Sequence, residues 1–296
     1  MSALVIPIKT NGDEWNNRDE VIDQLYQLSP TQLVEFDLRH EGISLKASGI
    51  IDVVDQWIVD TNRLSSTVCF NTPNVLEKIN YEFKPQEERL PRFLRHFKYF
   101  VEPLKLKSES KLFGIFLGRF TPDRNTIALD ILKNFSTVTL ISRMHSFKLE
   151  ASSWWDPAVE AIGSLDNKTV QQQYAPDENT NQSLLQFYDQ FQIEIVVETV
   201  TRGDSFFPTE KTTRPIMGSK PFLAFAPPNY LKNIRNLGFK TFSLLWSEEY
   251  DGLEGLDRWQ VMCAIMHDII NNGYDIDTAQ AIVDYNYNHL QQIIKQ

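Results

Sequence analysis

Short apolar runs of strand length recur along this chain with helix-length amphipathic stretches between them, and that alternation restricts the fold more than any single residue does. Residues 32–38 read as a buried strand, and a helix over 48–61 then puts Ile50, Val53, Val54, Trp57 and Ile58 on one face. Residues 67–72 are the next strand candidate, followed by Pro73 and a short helical stretch. The pattern resumes with a strand over 112–118, a helix over 125–135 and a strand over 138–142. Helices over 154–165 and 182–191 lead to a strand over 193–198, a helix capped by Thr209, a strand over 222–225, a helix over 230–237 and a short strand over 240–242. Helices over 256–272 and 276–295 close the chain. Strands that alternate with helices pair in parallel, because each crossover returns the chain to the same edge of the sheet. The expected fold class is α/β with two Rossmann-like domains, 1–108 and 109–296, joined in the proline- and charge-rich stretch 84–111.

With 296 residues the chain can hold one large or two modest domains, and 42% hydrophobic with 12% aromatic residues is ample for a packed core. No run of about 18 apolar residues occurs, and the first residues carry neither a basic leader nor a signal-type apolar core, so a soluble, cytoplasmic protein without a membrane span is expected. A formal net charge of −10 argues against a protein that coats nucleic acid, which must neutralise many phosphates. Cys69 and Cys263 are far apart, each in an apolar segment, and read as buried reduced thiols.

In parallel sheets ligands bind beyond the carboxyl ends of the strands. His40 and Glu41, after the first strand, are there the candidates to take a proton from an acceptor, although both also suit an ordinary polar loop. The strand over 112–118 ends in Gly-Arg and turns into a helix, so Arg119 and Arg124 are phosphate candidates: a guanidinium grips two oxygens at once beside the N–H groups of a helix entrance. Glu198 ends its strand where it can reach a sugar or ribose hydroxyl. Thr209 caps the following helix, which places Glu210 and Lys211 in a first turn where an anion is favoured. Between residues 202 and 240 there are seven lysines and arginines against Asp204 and Glu210, a basic island in an acidic chain.

Phe207, Thr209, Glu210 and Lys211, followed by Pro221, Phe222 and Leu223, form an aromatic-x-Thr-Glu-Lys motif, a helix and an apolar strand. This segment resembles the donor-binding half of two-domain, GT-B-like glycosyltransferases, the fucosyltransferase-like enzymes in particular. The likeness runs on through residues 237–242 and 248–251, and in the Glu41-Gly42 loop, to glycosyltransferase-like proteins of phages and marine bacteria. There an acidic residue-Ser-Tyr-Asp pattern is expected, whereas here Glu249 directly precedes Tyr250. The resemblance implies two domains facing each other across a cleft, with the nucleotide sugar held by the C-terminal one and the acceptor by the N-terminal one. It implies that Lys211 faces the diphosphate of a GDP- or UDP-linked sugar, with Glu210 near the ribose or the transferred sugar. It further implies no separate cofactor, an acceptor that is a glycan or a modified, hydroxymethylated base in phage DNA, and a last helix whose stripe of Ala279, Ile282, Val283, Tyr287 and Leu290 packs back on the first domain. Transfer to DNA would need a basic channel, which Arg92, Arg95 and Lys98 could border. A non-catalytic nucleotide- or sugar-binding module with the same fold is the reading from a different class.

Other chemistries lack their residues. No Cys-x-x-Cys or paired helical His is present for zinc, and the five histidines are dispersed. Walker and Gly-x-Ser-x-Gly motifs are missing, and residues 114–119 lack the glycine pair of a dinucleotide fingerprint. Asp275-Ile-Asp277 has the form of a metal-binding Asp-x-Asp, but its place after Gly273 at a helix start suits a cap.

Overall fold

The structure, a computed structural model, describes residues 3–11, 13–38, 42–72, 81–83, 111–117, 121–143, 185 and 187–294. These residues form a mixed α/β protein with two parallel sheets. In the first half β1 (Leu4–Pro7), a small hairpin of β2 (Thr10–Asn11) and β3 (Glu14–Trp15), α1 (Arg18–Tyr26), β4 (Val34–Asp37), α2 (Ile50–Asp60), β5 (Val68–Asn71) and β6 (Glu82–Phe83) succeed one another in order. The sheet order is β1-β4-β5-β6, with every pairing parallel. Because strand side chains alternate between faces, Val34 and Phe36 enter the core with Ile6, Phe70, Val54 and Trp57. Glu35 points the other way and accepts a hydrogen bond from Asn71 Nδ2 at 2.9 Å. The indole N–H of Trp57 donates to the Leu25 carbonyl at 2.9 Å and ties α2 to α1.

The second half contains β7 (Lys111–Leu117), α3 (Pro122–Asn134), β8 (Thr139–Arg143), β9 (Phe191–Val197), α4 (Glu210–Met217), β10 (Phe222–Phe225), α5 (Tyr230–Asn236), α6 (Gly255–Asn272) and α7 (Ile276–Ile294). All three pairings are parallel, in the order β10-β9-β7-β8. The chain thus lays β8 on one side of β7 and then crosses to the other side to place β9 and β10. Its core is separate from the first and larger, and Ile282, Val283 and Leu290 of the α7 stripe lie in it, where α7 packs on α4.

Residues 240–242 are irregular, not a strand. Asn286 of α7 takes the part of a strand neighbour there: its Oδ1 accepts from Lys240 N and its Nδ2 donates to Lys240 O, both at 2.8 Å. Glu248 accepts from Phe242 N at 2.7 Å. The stretch expected as a helix over 182–191 ends in a turn over 187–190 before β9 begins. The expected helix over 154–165 and the connection over 84–110 lie outside the described residues. Cys69 and Cys263 are half-buried thiols outside any disulfide, not fully buried as expected. No described helix is long and apolar enough to cross a membrane.

Candidate functional site

Strand order fixes where a site belongs. At the β7/β9 border the connections that leave the two strands run in opposite directions, and in open parallel sheets ligands bind at the carboxyl edge beside such a reversal. Among the described strands, the first sheet runs in simple sequence order and has no such reversal. The residues that meet at the β7/β9 border come from the start of α3 and from the stretch 198–211.

Glu198 is completely buried at this point and organises the loop beyond β9. Its Oε1 accepts from Thr209 N at 3.1 Å, Thr212 Oγ1 at 2.6 Å and Tyr230 Oη at 2.8 Å. Its Oε2 accepts from Thr209 Oγ1 at 2.5 Å and Thr199 N at 3.3 Å. Both oxygens are occupied by groups of the protein, so the expectation that Glu198 reaches a sugar or ribose hydroxyl is corrected: a carboxylate taken out of water needs these donors itself. Thr209 caps α4 as expected, accepting from Lys211 N at 3.3 Å.

Lys211 and Arg124 converge on the same turn. Lys211 Nζ donates to Thr199 Oγ1 at 3.0 Å and Thr209 Oγ1 at 3.3 Å, and forms an ion pair with Glu210 at 2.7 Å. Burial alone would push the Glu210 carboxyl up, but the Lys211 ammonium, helped by Arg214, holds it down at about 2. The pair therefore persists throughout the neutral range and is lost only as pH falls toward that value. Arg124, from α3, donates from Nη2 to the Glu198 carbonyl at 3.0 Å and is nearly enclosed. Thus a residue of the β7 unit and one of the β9 unit grip consecutive residues, Glu198 and Thr199. Arg202 is the more open cation, with 53% of its side chain exposed and its Nη2 2.9 Å from Asp123 Oδ1.

The loop after β9 also carries the contact with the first half. Thr201 meets Asp13 of the β2–β3 turn, and Ser205 Oγ donates to the Gly42 carbonyl. Gly203 adopts φ +69°, and a Cβ there would run into Ser44 and Ala47. Gly203→Ala is therefore expected to loosen this contact at a cost of about 1–2 kcal/mol, from a left-handed backbone and a collision together. Faster amide exchange over residues 42–47, with both cores still protected, would be the signature. His40, Glu41 and Arg119 lie outside the described residues, as do Arg92, Arg95 and Lys98.

Several further charged residues are structural, and among them Asp275 has the capping role expected of the Asp-x-Asp pair. Arg214 is buried against Glu194 at 2.7 Å, and Tyr188 Oη bonds to both. Asp251 accepts from Leu231 N at 2.8 Å and Lys232 N at 3.0 Å, so it caps α5, while Glu248 braces the irregular stretch before it. Asp275 caps α7 through Asp277 N at 3.0 Å and Thr278 N at 3.1 Å. Among the described residues no group of three or more His, Cys, Asp or Glu side chains is placed to hold a metal ion.

Compared with protein-family models and with curated proteins, the chain gives no match.

Proposed function

We propose that the protein is a glycosyltransferase that moves a sugar from a nucleotide-diphosphate sugar to an acceptor hydroxyl, with two Rossmann-like halves of the GT-B kind, the second binding the donor and the first the acceptor. One observation carries this reading: the loops beyond the carboxyl ends of two parallel sheets touch each other at the β7/β9 reversal, where cations from two βα units converge. A donor bound beyond β9 and an acceptor bound beyond β4 would then lie next to each other, and holding two reactants in register is a large part of what a transferase must supply. In this reading the donor diphosphate competes with Glu210 for the Lys211 ammonium. Arg124 keeps the Glu198–Thr199 turn rigid beneath it, and Arg202, with guanidinium donors to spare, adds a second contact. The proton acceptor belongs to the segment of His40 and Glu41.

A thermal-shift panel of GDP, UDP and CMP, with hydrolysis assays on the matching sugar nucleotides, tests the proposal. A ligand at one hundred times its dissociation constant adds about 2.7 kcal/mol to stability. Lys211→Ala removes a charge-assisted hydrogen bond to phosphate, so it is expected to weaken nucleoside diphosphate binding by about 1.5–3 kcal/mol in calorimetry and to leave the free nucleoside nearly unaffected. Absence of any shift across the panel would sink the donor assignment. Binding without hydrolysis or transfer would leave a nucleotide-binding module in its place.

A further inference from the structure

Asp13 reaches from the β2–β3 turn, beyond β1, to Thr201 on the loop after β9. The Thr201 amide lies 3.2 Å from Asp13 Oδ1 and 3.1 Å from Oδ2 and donates to them. Thr201 Oγ1 lies 2.7 Å from Asp13 Oδ2 and 2.8 Å from Asp123 Oδ2. A hydroxyl has one hydrogen to give. With two carboxylate oxygens at hydrogen-bonding distance, one of the contacts needs a proton from the carboxyl side, or it sets a lone pair against an anion. We propose that this proton sits on Asp13, so that Asp13 donates to Thr201, Thr201 donates to Asp123, and the chain of three is a pH-sensitive latch between the two halves of the molecule.

The surrounding charges favour Asp13 as the carrier. Asp123 already forms an ion pair with the Arg202 guanidinium at 2.9 Å. Asp13 makes no ion pair among the described residues, and the groups that face it are Thr201, the Asp123 carboxylate and the backbone N–H of Arg202. The Arg202 charge is shared with Asp123, Asp13 and Glu254, and Glu254 is itself engaged by Gly203 N at 3.0 Å. Burial raises the Asp13 carboxyl above the ordinary aspartate value, the Thr201 hydrogen bonds pull it down, and the Asp123 charge raises it again, with a net upward result. A carboxyl whose folded value is raised contributes fully below its unfolded value, and the contribution fades as pH rises through the folded one. The latch is therefore closed on the acid side and weakened when Asp13 ionises and two anions share a single hydroxyl proton.

The test is a carboxyl 13C titration of the full chain labelled at aspartate, with the Asp13 signal identified by its loss in Asp13→Asn. The expected midpoint lies above the usual aspartate value of about 3.9. In Asp123→Asn the new side-chain N–H can donate to Thr201 Oγ1, which frees the hydroxyl proton for Asp13, and the midpoint is expected to move down. Amide exchange at Thr201 and Ser205, corrected for intrinsic rates, should lose protection through the same pH range in the wild type but stay flat in Asp13→Asn. A midpoint at or below the ordinary value, one that Asp123→Asn does not lower, or wild-type protection independent of pH would each overturn the latch. Should Asp13→Asn fail to fold, the Asp13 carboxyl signal is assigned through its own backbone amide, and the Asp123→Asn titration and the wild-type exchange profile still decide the matter.

Discussion

Glu198→Ala is expected to cost about 3–5 kcal/mol of stability, among the largest losses a single substitution gives. The carboxylate accepts five hydrogen bonds inside the protein, from Thr199, from Thr209 twice, from Thr212 and from Tyr230. Alanine leaves a cavity ringed by donors that no water-exposed surface can satisfy, and buried donors without acceptors carry their full desolvation cost. Against a typical total of about 5–15 kcal/mol, the loss would be a third or more. Glu198→Gln should fall in between, because the amide keeps one acceptor and turns a donor toward Thr209 and Thr199. Urea denaturation at neutral pH measures all three proteins. A Glu198→Ala protein of wild-type stability but without nucleotide affinity would instead make Glu198 a ligand contact.

Arg214→Met is expected to lose a comparable amount, about 3–5 kcal/mol, because it strands Glu194 in the core. The side chains of Arg214 and Glu194 are 4% and 0% exposed. Burial by itself would lower the guanidinium and raise the carboxyl; the attraction between them outweighs it for Arg214, whereas Glu194 still ends above the ordinary range. The triple replacement Tyr188→Phe, Glu194→Leu, Arg214→Met removes every member of the network and is expected to recover most of the loss, since a packed apolar set avoids the desolvation that the ion pair must offset. Chemical denaturation of the single and triple variants decides this. A triple variant no more stable than Arg214→Met would show that packing around Phe116, on which the guanidinium rests at 5.2 Å, matters more than charge.

How much the sequence disclosed depends on the range of the forces involved. The strands β5, β7, β9 and β10 stand out because their apolar residues are contiguous and turn residues bound them. Leu4–Pro7 is too short to declare itself, and it is a strand only because Val34–Asp37 lies beside it. Residues 240–242 carry the composition of a strand, yet their partner is Asn286, a residue 46 positions away whose amide mimics a neighbouring backbone. The same limit governs the site. Thr209 as a cap is local chemistry and was legible. That Arg124 and Lys211 bond to the consecutive residues Glu198 and Thr199 required the sheet order, which places β9 beside β7. Glu198 ends an apolar strand as an available ligand would, and only the folded chain brings Thr212 and Tyr230 to it. Nothing in the local pattern around Asp13 marks it as the partner of a threonine 188 residues away.

The packing of α7 on α4 gives α7 an indirect hold on the turn that begins with Glu210 and Lys211. The helix that begins with Glu210 and Lys211 has only eight residues and contains Pro215, so its own hydrogen bonds cannot keep it straight or in place. It behaves like a short plank clamped at two ends, by Glu198 at the front and by the nineteen-residue α7 at the back. A shift of α7 would therefore be passed along α4 to the turn that seats Lys211 on Thr199, Thr209 and Glu210.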